Sequence, residues 1–183
     1  MWWQIWSEFG ARRTTALSHH GATAGAWGSD AVAPSTGIVP GMITEYEPSP
    51  WEPIADHVQR YLDTDGEDGA EWEGAQVILL GTIGRRSGKL RRTPLIRVRH
   101  GDSYLVVASM GGAPDHPQWY LNLVDNPEVT VQDLDEVHEL RARTASAGEK
   151  SELWAVAAAQ WPDYDNYQAG TDRDIPLVIC EPR

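Results

Sequence analysis

One cysteine, Cys180, stands in a chain of 183 residues, so no disulfide can close within it and the fold must rest on a buried core. That cysteine usage fits a reducing cytoplasm. No apolar run approaches the roughly 20 residues of a membrane-spanning helix. Six histidines are present, and only His19 and His20 are neighbours. No H-x-x-x-H or H-E-x-x-H spacing sets two metal ligands on one helix face, so no metal is expected. His57 is read onto the exposed side of a first helix, and His116 as a capping or loop residue ahead of Pro117. A G-x-S-x-G elbow is missing, and Cys180 lies in an apolar run where a lone thiol is a small core residue. Basic residues are scarce, 15 against 27 acidic, for a formal charge of −12. Such a chain is repelled by phosphate backbones, which argues against nucleic acid as a partner.

The few basic residues are concentrated. Arg85, Arg86, Lys89, Arg91, Arg92, Arg97 and Arg99 are 7 of the 15, and no Asp or Glu occurs in residues 74–101. The stretch "GTIGRRSGKLRRTPL" joins glycines that let the backbone turn, the Ser87 hydroxyl and arginine forks. These are the parts of a cradle for phosphate or carboxylate. They are equally the parts of a hairpin turn with solvated arginines, and the acid-poor setting in an acidic protein favours the cradle. The stretch is neither a Walker A loop nor a G-x-G-x-x-G fingerprint. A second glycine site, "ASMGGAPDHPQWY", would let backbone approach a ligand at Gly111 and Gly112 beside a helix start, or simply connect strand to helix. In a third, "QWPDYDNYQAGTDR", Tyr164 and Tyr167 share a face if helical. They could cover a flat ligand or donate a proton, or close a core with Trp161.

Residues 1–44 differ from the rest. They are rich in Gly, Ala, Ser and Thr, without sustained period, and are expected to be a disordered or mis-annotated extension, with Met42 as an alternative start. Glycines and histidines dilute any signal-peptide core there, and "MWWQIW" is too short for more than weak interfacial anchoring. The location expected is cytoplasmic, with peripheral membrane contact left open. Residues 45–183 form the folded domain. "SPWEPIADHVQRYLDT" puts Ile54, Val58, Tyr61 and Leu62 on one helix face, with a capping serine nearby. "DGEDGAEWEG" is an acidic loop, and residues 76–82 a strand buried on both sides. Strands follow over residues 93–100 and 103–109, then a helix opened by Pro117 and closed at Asn126-Pro127. "EVTVQD" and "EVHELRART" are two more strands, "GEKSELWAVAAAQW" a helix, "PDYDNYQAGTDRD" a polar loop or broken helix, and "IPLVICE" a last strand. Consecutive strands with short turns argue against a doubly wound parallel sheet. They point to an α+β protein, a small, mostly antiparallel barrel with helices packed over its openings.

Three stretches in one order, "GRRSGKLRRTPL", "VVASMGGAPDHPQWYLNL" and "YDNYQAGTDRDIPLVICEP", resemble the deazaflavin-dependent nitroreductase family over residues 45–182. The resemblance implies a split β-barrel of the FMN-binding-like kind. It also implies the reduced form of coenzyme F-420, an 8-hydroxy-5-deazaflavin with a phosphodiester and a poly-glutamyl tail. By that resemblance Arg85, Arg86, Ser87 and Arg91 hold phosphate and tail, and Thr93, Pro94, Leu95 and Ile96 run beside the ring. Val107, Ala108, Ser109, Met110, Gly111 and Gly112 bound its other side, and Trp119 and Asn122 support it from the helix. Ser109, Tyr164 and Tyr167 face the acceptor as catalytic candidates. Arg86 stands where the family commonly has lysine. Trp161 and Ile96 replace aromatic residues of members active on nitroimidazoles, which reshapes the acceptor pocket and not the tail site.

The function expected is hydride transfer from the reduced coenzyme to a quinone-like or nitroaromatic acceptor, in a protein that can pair as a homodimer. Two alternatives stand beside it: an FMN-dependent oxidoreductase of the same barrel class, and a non-catalytic deazaflavin-binding protein. A long anionic tail needs more basic charge than one phosphate, so the arginine cluster favours deazaflavin over FMN.

Overall fold

The computed structural model describes residues 37–39 and 42–183. The expectation for the N-terminal extension therefore lies mostly outside the described residues. At its end β1 (Gly37–Val39) pairs antiparallel with β2 (Met42–Thr44). Helix α1 (Glu52–Asp63) follows, then β3 (Glu71–Trp72), β4 (Ala75–Ile83), β5 (Leu90–Ile96), β6 (Val98–His100) and β7 (Ser103–Val107). A single 3-10 turn (Met110–Gly112) leads to α2 (Gln118–Asp125), β8 (Glu128–Asp133), β9 (Glu136–Thr144), α3 (Ala147–Gln160), α4 (Asp163–Ala169) and β10 (Leu177–Glu181).

Every strand pair in the main sheet is antiparallel. The order runs β5-β4-β8-β9-β10-β7-β6, with short β3 also on β4. The strands at the two ends of that order, β5 and β6, are separated in the chain by Arg97 alone. A sheet whose ends are joined by one residue has to curl on itself. Arg97 is the corner: its N–H donates to Gln76 O at 2.7 Å, and its guanidinium donates to Asp133 at 2.8 Å across the sheet. Tyr104 donates its hydroxyl to the same carboxylate at 2.7 Å, and burial with that contact pushes the phenol up to about 12. The single strand expected over residues 93–100 is thus two strands with a bend between them.

Alternation along the strands separates two cores. One face carries Ile78, Leu80, Val106, Val129, Val131 and Val178 against Trp119 and Leu123 of α2. The other carries Val98, Leu105, Leu177 and Ile179 against α3 and Tyr164 of α4. β4 is buried from Val77 to Thr82, as a continuous apolar run requires. Leu79 turns outward onto Ile54, Val58 and Tyr61 of α1. Burial pushes the Cys180 thiol up to about 12, which keeps it an inert core residue.

Three expectations change. The acidic loop contains the β3–β4 hairpin, whose turn residues Glu73 and Gly74 both have positive φ, 48° and 83°. That is the backbone a two-residue hairpin needs. The polar segment after Trp161 is helical over Asp163–Ala169. His57 is 3% exposed and not on the solvent face. With Ile54, Val58 and Tyr61 it completes an i, i+3, i+4, i+7 stripe, and Nε2 shares a 2.9 Å hydrogen bond with Gly69 O of the connection that folds over α1.

Candidate active site

A cavity of about 510 Å³ opens between α1, β5, the 3-10 turn, α2 and α4. Its walls are mostly apolar. Pro94, Leu95 and Ile96 come from β5, Val107 from β7, and Trp119 from α2, with Trp161, Tyr164 and Tyr167 from the segment around α4. Arg85, Arg86, Ser87, Arg91, Arg92 and Thr93 also line it, and Ser109, Met110, Gly111 and Asn122 are among the rest of the lining. The candidates drawn from three separated stretches therefore meet in one space. Ala108 and Gly112 do not line it. Ala108 is wholly buried, and its carbonyl accepts from Arg173 at 3.0 Å. Gly112 serves a different neighbour: a Cβ there would lie 2.9 Å from the Tyr167 carbonyl oxygen. The glycine at 112 lets α4 approach the turn, and the approach of a ligand to backbone is left to Gly111.

The basic part of the lining is built from a tight turn. Gly84 N–H donates to Lys89 O at 2.8 Å and Gly88 N–H to Gly84 O at 2.7 Å, with Gly88 at φ 68°. A Cβ on Gly84 would stand 2.7 Å from Ser87 Oγ, so a side chain there would turn the Ser87 hydroxyl away from its place in the turn. Asn122 anchors it from α2: Oδ1 accepts from Arg85 N–H at 3.1 Å and Nδ2 donates to Thr82 Oγ1 at 3.3 Å. Asn122 is nearly buried, so its amide is committed to positioning.

Four of the seven basic residues, Arg85, Arg86, Arg91 and Arg92, line the cavity together, and Lys89, Arg97 and Arg99 do not. Lys89 pairs with Glu45 at 3.2 Å, and Arg91 pairs with Glu47 while donating to Pro48 O at 2.9 Å. Arg92 lies over the Tyr46 ring at 5.0 Å, and Arg99 over Tyr104 at 5.4 Å. Arg97 is held by Asp133. Arg85 and Arg86 are exposed, and their guanidinium groups have no ion-pair partner among the described residues. Three of the seven, Lys89, Arg91 and Arg97, are thus paired with acids outside the acid-poor stretch. The count of seven cations therefore overstates the charge left for a ligand.

The hydroxyls of the lining keep their protons. Tyr164 is fully buried, which pushes its phenol well above the usual tyrosine range. Burial also raises Tyr167, whose oxygen accepts a long 3.5 Å hydrogen bond from Trp161 Nε1. Ser109 is 9% exposed and lies at the start of the 3-10 turn. His57, Trp51 and Trp72 also line the cavity; the sequence reading placed His57 on the solvent side and passed over the two tryptophans. The helical stripe that carries Ile54 was the available signal for His57. For Trp72 it was the turn chemistry of Glu73-Gly74.

Known proteins of similar sequence and structure point one way. A quinone reductase of Mycobacterium tuberculosis, named as dependent on reduced F420, is 35% identical over 131 residues, 69% of this chain and 88% of that protein. A solved F420-H2-dependent reductase, FDR-A, is 44% identical with a TM-score of 0.55, covering 57% of this chain and 93% of that one. A second solved chain, described as a domain-swapped dimer, is 40% identical with a TM-score of 0.58, covering 69% and 95%. The family model described as F420H(2)-dependent quinone reductase matches residues 54–182, a span that holds the arginine turn, the Ser109 turn and both tyrosines, and the chain belongs to that family.

Proposed function

We propose that this protein passes a hydride from reduced coenzyme F-420, the cofactor of its family, to a quinone-like acceptor bound in the same cavity. The observation that carries the reading is the mixed lining of that cavity. Arg85, Arg86, Arg91 and Arg92 share it with an apolar wall that includes Pro94, Leu95, Trp119 and Trp161. A flat ring with an anionic tail fits a lining of that composition. When bound, the coenzyme supplies a hydride from C5 of its reduced ring.

The chain's own residues then have separate tasks. Arg85 and Arg86 attract and hold the phosphodiester and carboxylates through charge-assisted hydrogen bonds. Asn122 holds the turn that presents them. Pro94, Leu95 and Trp119 exclude water from the ring's surroundings. Ser109, Tyr164 and Tyr167 are the hydroxyls available to the acceptor. With raised pKa values the two tyrosines stay neutral through the physiological range, so each can donate a hydrogen bond to an oxygen gaining charge.

A nitroaromatic acceptor belongs to the same reading, because a nitro oxygen gains charge as a quinone oxygen does. Trp161 and Ile96 line the cavity, and there the sequence departs from members active on nitroimidazoles, so a quinone is the preferred acceptor. The curled antiparallel sheet supports assignment to the split-barrel class, with residues 45–183 as its domain. The FMN alternative is set aside on family membership, since the cation count no longer separates the two.

The test is direct. Purified protein mixed with reduced coenzyme and menadione should regenerate the absorbance of the oxidised coenzyme. No turnover across a panel of quinones and nitroaromatics would reject the catalytic reading, and a protein that purifies yellow with flavin fluorescence would reverse the choice of cofactor.

A further inference from the structure

Arg173 lies in "GTDRDIP", outside the cavity lining, yet most of its donors are spent on the cavity wall. Nε donates to Ala113 O at 3.0 Å, one terminal nitrogen to Ala108 O at 3.0 Å, and the other to Ser109 O at 2.8 Å. The nitrogen that meets Ala108 also meets His116 Nδ1 at 3.1 Å. A guanidinium has five N–H donors, so four are committed here. Three of those four acceptors are carbonyls of residues 108–113, the segment that carries Ser109, Met110 and Gly111 into the cavity.

That segment needs a clamp. Met110, Gly111 and Gly112 all have positive φ, at 49°, 63° and 80°. Such a backbone is unfavourable for methionine, and it persists only where the surroundings over-determine it. Within the segment Gly112 N–H reaches Ser109 O at 3.0 Å and Ala113 N–H reaches Met110 O at 3.1 Å. The remaining restraint on the carbonyls is Arg173.

The fourth acceptor makes the clamp sensitive to protons. Arginine only donates, so Nδ1 of His116 is an acceptor and the ring is neutral, its proton on Nε2. Protonation would set two N–H groups and two positive charges face to face. The groups around the ring work in both directions. Partial burial, and after it Arg173, oppose protonation and hold the ring below the ordinary histidine value, while Asp115 beside it favours protonation. Tyr120 of α2 packs on it with ring centroids 4.9 Å apart. Asp174 next to Arg173 is engaged by Lys150 of α3.

We propose that Arg173 is a positioning residue that fixes the Ser109 wall of the coenzyme site, and that His116 makes this fixation depend on pH. The neutral imidazole completes the clamp; the imidazolium opens it, and the wall loosens as pH falls. The inference rests on the coenzyme reading for its binding measurement and is independent of it for its exchange measurement.

The experiment compares wild type, His116→Gln and Arg173→Lys by titration with oxidised coenzyme F-420 from pH 7.5 to 5.5. Amide hydrogen exchange is followed on the same proteins. The coenzyme's own titration is common to all three and cancels in the comparison. Wild type should lose about twofold to fivefold more affinity on acidification than His116→Gln, which has no imidazole to protonate; a single ring held below about 6.5 sets a ceiling under tenfold over this range. Arg173→Lys, with one point charge for a fork, should bind roughly tenfold more weakly at pH 7.5 and exchange faster at amides 109–113 than elsewhere. Parallel affinity curves for wild type and His116→Gln would overturn the pH dependence. Exchange in Arg173→Lys that rises evenly over the molecule would overturn the positioning role. If Arg173→Lys does not fold, exchange at amides 109–113 in wild type against His116→Gln at pH 5.5 decides the matter: equal rates reject the clamp. If wild type binds no coenzyme, the coenzyme reading fails, and the exchange comparison still decides the clamp.

Discussion

The side-chain oxygen of Asn122 accepts the backbone N–H of Arg85 at 3.1 Å, joining helix α2 to the turn that offers the two unpaired arginines. The same amide donates to Thr82 at the end of β4. One nearly buried side chain thus ties the helix that carries Trp119 to the turn that carries Arg85 and Arg86. Asn122→Leu keeps the size and removes both bonds, leaving the Arg85 N–H to find another acceptor. Coenzyme affinity is expected to fall by about 1–3 kcal/mol and the thermal midpoint to drop with it. Titration with oxidised coenzyme and a melting curve read the two effects; unchanged affinity would show that the turn holds its place without α2.

Arg86 and Arg91 look alike in the sequence and are expected to differ in function. Arg91 already has Glu47 and two carbonyls of the segment before α1, whereas the Arg86 guanidinium has no ion-pair partner among the described residues. Arg86→Ala should weaken binding of the long-tailed coenzyme by about 1–3 kcal/mol, and added salt should shrink the difference. Arg91→Ala should cost less in binding. An equal loss from both would mean that Arg91 releases Glu47 to take the ligand.

Gly112 packs against backbone and not against ligand, which a pair of alanine variants can separate. Gly112 at φ 80° and Gly74 at φ 83° carry similar backbone strain if substituted. A Cβ at 74 meets nothing within 4 Å, while one at 112 stands 2.9 Å from Tyr167 O. Gly74→Ala should cost about 1–2 kcal/mol for the conformation alone. Gly112→Ala should cost more and also slow turnover by shifting α4. Equal unfolding free energies in urea would remove the contact from the account.

The parts of this fold that were legible in the sequence are those whose partners lie close in the chain. β8 and β9 run over Glu128–Asp133 and Glu136–Thr144, as read, because their alternation and the turn at Leu134-Asp135 are local. The break at Arg97 was not legible, since the groups that hold the corner, Gln76 O and Asp133, lie in other strands. The partners of the arginine cluster were hidden for the same reason. Alternating side chains send neighbours in sequence to different faces, and the acids that neutralise Lys89, Arg91 and Arg97 lie in other elements. The site itself was legible as three stretches and one family resemblance. What covers it, His57 and Trp72, depended on a hairpin hidden in an acidic run.

His57 predicts a pH dependence of stability. Burial holds its ring below the ordinary histidine value, so on acidification the unfolded chain takes up the proton first. The stability this group contributes is complete above the unfolded value of about 6.5 and is lost as pH falls from there through the folded value. His57→Gln keeps a donor for Gly69 O and has no such proton. The thermal midpoint of wild type should therefore fall more between pH 7.5 and 5.5 than that of the variant. Parallel curves would mean that the folded protein accommodates the imidazolium.

Tyr167 separates acceptor chemistry from coenzyme binding. It lines the cavity with Trp161 and Tyr164, and its phenol is pushed above the tyrosine range by partial burial. At neutral pH it is a hydrogen-bond donor and a weak acid. Tyr167→Phe retains the ring that packs on Tyr164 at 6.4 Å and removes the donor. Coenzyme affinity should be nearly unchanged, while kcat with menadione should fall by about tenfold to a hundredfold, the scale of one lost oxyanion contact at a partly wet site. Because both phenols titrate above 10, the activity of wild type should show no limb near neutrality from them. A large loss of coenzyme binding in Tyr167→Phe would place this hydroxyl on the coenzyme side of the cavity.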